Sequence, residues 1–248
     1  MSELLFYVLI FIVAVGYSSA GFGGASGYLL VMSFFHIPSQ VMSSVALTLN
    51  AIVSTISFWN YFRAGHFRPR LLIPFLVTSI PASFLGGMVT LDEQTYFMLL
   101  YAVLTYLALR MLLFPVISER PDWKARPFPL GVALMGGALI GLLSGMVGIG
   151  GGIFLSPLII LAGWGTSKQA AASSGAFIAI NSISGLVGRM ANGTFSFGAF
   201  GFPMLIVGAI GALIGGQIGA QKLSGAGVRR ALGIGLMVAV GVYWSRYL

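Results

Sequence analysis

Along the chain, apolar residues fall into ten runs rather than an alternating pattern. The runs cover roughly 4–20, 25–36, 40–62, 71–90, 94–115, 130–146, 151–163, 169–190, 198–221 and 228–247. A helix that crosses the hydrocarbon core needs about 20 mostly apolar residues. Most of the runs approach that length, but 25–36 and 151–163 fall short. A membrane β-barrel would alternate apolar and polar positions, and these runs are continuous. The pattern therefore predicts an all-α, polytopic transmembrane helical bundle of about eight to ten segments, two of them short.

Each short run follows a glycine cluster, and the clusters belong to a larger repetition. Gly21-Phe22-Gly23-Gly24-Ala25 corresponds to Gly148-Ile149-Gly150-Gly151-Gly152. Ser43 and Ser44 fall near Ser173 and Ser174, and Asn50 near Asn181. Gly65-His66-Phe67 matches Gly193-Thr194-Phe195, Pro74 matches Pro203, and Gly86-Gly87 matches Gly215-Gly216. Their common order and near-constant spacing mark an internal repeat. The chain thus divides into a first transmembrane repeat, 1–116, a polar linker, 117–129, and a second repeat, 130–248. The linker carries Glu119, Arg120, Asp122, Lys124 and Arg126.

Composition strengthens the membrane reading. Of 248 residues, 58% are hydrophobic and 7% charged; a soluble domain carries about 25% charged residues. Mean hydropathy is +0.98. The run from Leu4 to Val15, with Ser18 and Ala20 behind it, has the outline of a signal peptide. Glu3 and the lack of Lys or Arg ahead of the run favour a retained first helix instead. With no cysteine, disulfides, thiolate metal sites and a cysteine nucleophile are excluded.

The net charge of +8 is distributed as the positive-inside rule expects. If the loop with Arg63, Arg68 and Arg70 is cytoplasmic, Asp92 and Glu93 lie outside. Arg110, the linker cations, Lys168, Lys222, Arg229 and Arg230 then fall inside, and only Arg189 and Arg246 lie outside. Both termini come out external and the linker cytoplasmic. One half starts outside and the other inside, so the repeats are inverted. Inverted repeats with interrupted helices are a common transporter architecture.

The candidate chemistry sits at the interruptions. Glycine lets the backbone leave helical geometry at low steric cost. The helices restarting after Gly23-Gly24 and Gly150-Gly151 would offer free N–H groups and a partial positive charge to an anion. Asn50 and Asn181 lie near the middle of their runs, with Ser43, Ser44, Ser173 and Ser174 in the same segments. Such residues either bond between helices or line a neutral hydrogen-bonding cavity. The Gly211, Gly215, Gly219 stripe reads as close helix packing. Arg189 either draws anions into an external vestibule or snorkels to the interface. Trp59, Trp123, Trp164 and Trp244 sit near run ends, as an interfacial aromatic belt would place them.

All five acidic residues, Glu3, Asp92, Glu93, Glu119 and Asp122, lie at run ends or in loops. A buried carboxylate proton relay is therefore not expected, and a site without buried negative charge suits an anionic substrate. His36 and His66 stand at run ends without a metal-binding context. No catalytic residue, metal or cofactor is expected, and no nucleic-acid partner. The expected partners are the lipid bilayer and a small anion; a coupling ion and a homo-oligomer stay open.

With these motifs the sequence resembles the sulfite exporter TauE/SafE family, also described as the four-toluene-sulfonate uptake permease family. The resemblance rests on Gly145-Met146-Val147-Gly148-Ile149-Gly150-Gly151-Gly152 followed by Pro157, then Ser173-Ser174, Asn181-Ser182, Pro203 and the glycines from Gly211 to Gly219. The first-half copy departs from it at Ala25 and Ser26. The resemblance implies a bacterial inner-membrane permease for sulfur-containing anions such as sulfite, sulfoacetate or another organosulfonate. A passive anion channel, and a membrane subunit partnering an enzyme, are the alternative readings.

Overall fold

The structure, a computed structural model, describes residues 3–19, 23–113, 129–198, 200–221 and 225–245. Gly21, Phe22, Trp123, Arg246 and nearly all of the linker lie outside the described residues. Ten helices follow the ten apolar runs: α1 (Glu3–Ser19), α2 (Ala25–Phe34), α3 (Ser39–Arg63), α4 (Pro69–Met88), α5 (Glu93–Leu113), α6 (Leu130–Val147), α7 (Gly152–Leu161), α8 (Ser167–Ala191), α9 (Gly201–Gln221) and α10 (Gly225–Trp244). The described residues contain no strand.

Helices α2 and α7 each have 10 residues. At about 1.5 Å per residue that is about 15 Å, half of a hydrocarbon core about 30 Å thick. Each starts behind a left-handed glycine, Gly24 at φ 87 and Gly151 at φ 75. A side chain would resist that backbone, so the glycines define where the helices restart. Helices α3, α4, α5, α6 and α8 are long and apolar enough to cross a membrane.

The bundle is inside out relative to a soluble protein. Leu4, Val77, Met135, Leu139, Phe202 and Val238 are exposed, while Ser43, Ser44, Asn50, Ser54, Ser173, Ser174, Asn181 and Ser182 are fully buried. In lipid, apolar side chains may face outward freely, and polar groups must find partners within the protein. The chain is a multi-pass membrane protein.

Helix pairing has an internal regularity. α4 packs on α6 and α1 on α9, α3 on α8, and α5 on α10. Exchanging each helix for the one five places along maps this set onto itself. Glycines bring the backbones into contact at these seams. A Cβ at Gly137, Gly141 or Gly145 would run into the α4 backbone at Phe75, Ser79 or Ser83. Gly211 and Gly215 meet the α1 backbone at Phe11 and Val15 in the same way, as close packing of small residues allows.

Candidate functional site

The chemistry collects where α6 ends and α7 begins. A helix leaves its last carbonyls without intrahelical partners, and here side chains from three other helices supply them. The Arg189 Nη2 donates to the Gly145 and Met146 carbonyls at 3.1 and 2.9 Å. The Tyr96 hydroxyl donates to the Val147 carbonyl at 3.0 Å. Asn50 Nδ2 donates to the Ile149 carbonyl, also at 3.0 Å. The stretch 145–149 is therefore held by α8, α5 and α3. It can follow this irregular course because Gly148 and Gly150 take φ 93 and 77.

A small central cavity lies beside Asn50, lined also by Gly23, Gly24, Ser26, Ile149 and Ile178. It has room for about one water molecule. Asn50 fills the space between the two glycine breaks: a Cβ at Gly23 would meet its Oδ1 at 2.6 Å, and one at Gly150 its Nδ2 at 2.8 Å. Ser54 and Ser182 close the same space, next to Gly23 and Gly150 respectively. Asn50 Oδ1 and the Ser54 and Ser182 hydroxyls are buried with no hydrogen-bond partner. At membrane depth such groups call for a water or a polar ligand.

A second pocket opens where α3 begins and α8 finishes. Its polar lining comes from Ser39, Gln40, Ser43, Thr90, Tyr96, Arg189 and Thr194. Arg189 is only 4% exposed, so it does not snorkel. Ser43 links the two spaces: it lines this pocket, packs against Gly148, and precedes Asn50 by two helical turns, about 10 Å along α3. Beyond the pocket, the exposed Asp92 carboxylate accepts from the Thr95 backbone N–H at 3.0 Å. That bond holds its pKa below the ordinary carboxylate value.

The site residues expected from the sequence separate into groups. Gly23, Gly24, Asn50 and Gly150 meet at the central cavity; Ser43 and Arg189 meet at the second pocket. Gly151 faces Ile140 and Phe177, and a Cβ at Gly152 would meet the Ser174 carbonyl. Ser44 donates to the Gln40 carbonyl and accepts from the Ser196 N–H. Ser173 and Ser174 are buried hydroxyls without partners. Asn181 Nδ2 donates to the Phe177 carbonyl one turn back in its own helix, its backbone carbonyl accepts from the Ser83 hydroxyl, and its buried Oδ1 has no partner. Ser54 and Tyr96 are not marked by the sequence as site residues, and Ser182 enters there only through the Asn181-Ser182 pair. Ser54 lies within a serine-rich segment, whereas nothing local marks Tyr96. One belt tryptophan is corrected: Trp164 is buried, packed near Phe75. Trp59 is exposed and stacks on Phe62.

Polar groups gathered at helix interruptions inside a lipid-facing bundle are an arrangement common among membrane transporters. The chain belongs to the sulfite exporter TauE/SafE family, whose pattern matches residues 6–243. It is 35% identical over 240 residues to a probable membrane transporter protein of Sinorhizobium fredii, covering 94% of each chain. It is 26% identical over 242 residues to a probable membrane transporter protein of Methanocaldococcus jannaschii, covering 89% of this chain and 87% of the relative. No solved structure matches it.

Proposed function

We propose that the protein is a secondary transporter that moves a small sulfur-containing anion, such as sulfite, sulfoacetate or another short organosulfonate, across a bacterial inner membrane. Transport proceeds by alternating access between two inverted halves, with the substrate between them at the glycine breaks. The observation that carries this reading is the set of unpartnered polar groups on Asn50, Ser54 and Ser182 beside Gly23 and Gly150. It supplies hydroxyl donors and no carboxylate, which suits an oxyanion. The family description points to the same substrate class.

The central cavity is too small for a sulfonate as it stands, which favours a carrier in a closed state over an open pore. Counterflow in proteoliposomes tests this. Unlabelled sulfoacetate inside should accelerate uptake of labelled sulfoacetate; uptake indifferent to the internal anion would point to a channel. Asn50→Ala should abolish exchange, since it removes a cavity-facing group and leaves the Ile149 carbonyl unpaired. Asn181→Ala, at a residue that lines neither pocket, leaves the Phe177 carbonyl without its side-chain donor and tests whether the second repeat asparagine takes part. Unchanged kinetics in either variant would remove that residue from the site.

A further inference from the structure

Arg189 is a buried cation. Among the described residues its hydrogen bonds run to the carbonyls of Gly145 and Met146, its Nε has no partner, and no carboxylate pairs with it. A guanidinium held away from water in this way is costly unless a charge or several dipoles compensate it. Backbone carbonyls compensate in part, because the end of α6 carries partial negative charge.

The same pocket receives a second positive element. Helix α3 starts behind Pro38, and no side chain caps its first N–H groups. Those groups, at Ser39 and Gln40, stand at the positive end of a 25-residue helix. The Ser43 and Tyr96 hydroxyls lie beside the guanidinium. The nearest acidic groups in sequence, Asp92 and Glu93, are exposed and outside the lining. A buried cation and an uncapped helix start converge on a space with room for about two waters, beside the Ser43 and Tyr96 hydroxyls, whose protons go to the Ser39 and Val147 carbonyls.

We propose that this pocket is an anion site, separate from the central cavity, which takes the oxyanion head of the substrate before it moves on to Asn50. The proposal rests on the reading of the chain as an anion transporter. The head group would share the Arg189 guanidinium with the α6 carbonyls and receive the α3 N–H groups. By the charge distribution of the loops, this is the external end.

The chain contains no cysteine, so a single Gln40→Cys reports on this pocket alone. Methanesulfonate, which does not react with thiols or maleimides, should slow labelling of that cysteine by N-ethylmaleimide in a saturable way. Adding Arg189→Gln should raise the half-protecting concentration by about tenfold or more, as expected for loss of a charge-assisted partner. Arg189→Lys, which keeps the charge, should retain much of the protection even if the glutamine variant folds poorly. Protection that is absent, or equal with arginine and glutamine, overturns the site. If sulfoacetate counterflow persists in that case, the transporter reading stands without it; if counterflow is also absent, both fall.

Discussion

Helices α3 and α8 have the same length, 25 residues each, and pack against each other, yet their two ends are finished differently. At one end α8 opens with a complete capping box: Thr166 accepts from the Gln169 N–H, and Gln169 accepts from the Thr166 N–H. The arginine closing α3 at that end, Arg63, is exposed. At the other end α3 opens on an uncapped proline, and the arginine near the end of α8 is buried. The ingredients match; the disposition of charge does not. One end is sealed by its own side chains, and the other keeps donors and a cation unspent. Two helices of equal length can thus present differently charged ends.

The strongest way to break this comparison is to remove the support beneath the receptive end. A Cβ at Gly145 would meet the α4 backbone at the Ser83 carbonyl and the Gly87 nitrogen. Gly145→Val should cost about 3 kcal/mol, read as loss of monodisperse protein or a large drop in unfolding temperature. Gly131→Ala, where a Cβ meets open space, should leave both unchanged.

Next come the two arginines. Arg189→Ala leaves the Gly145 and Met146 carbonyls without their donor and should cost about 2 kcal/mol in detergent unfolding. Arg63→Ala should stay within about 0.5 kcal/mol. Equal effects would erase the distinction between the ends. At the sealed end, Thr166→Ala should lose about 1 kcal/mol while leaving methanesulfonate protection of Gln40→Cys unaltered. A change in that protection would show that the ends communicate through α8.

The fold was largely legible because the lipid imposes it. Continuous apolar runs must become helices, and both ends of all ten runs lie within a few residues of the helix ends among the described residues. The glycine clusters also announced the two short helices, since few other residues tolerate the backbone of Gly24 and Gly151. The site was less legible. Asn50 and Asn181 look equivalent in the repeat, but one reaches across to Ile149 and the other bonds within its own helix. That choice depends on which neighbour offers a free carbonyl. Arg189 could not be assigned from its neighbours in sequence, because its partners are 44 and 43 residues away. Trp164 misled for a similar reason: nearness to a run's end says nothing about which way the ring turns.

The stretch from Gly145 to Ile149 behaves mechanically as a strap tied to three posts, one each on α8, α5 and α3. A strap so tied cannot follow one post without pulling on the others. If α3 and α8 shift relative to each other, the slack has to be taken up between the knots. Gly148 lies between the Tyr96 and Asn50 ties, and Gly150 lies just past the last of them. Both have the backbone freedom to turn. Any rocking of the bundle would then be felt first as a twist at these two glycines, directly beside the cavity lined by Asn50.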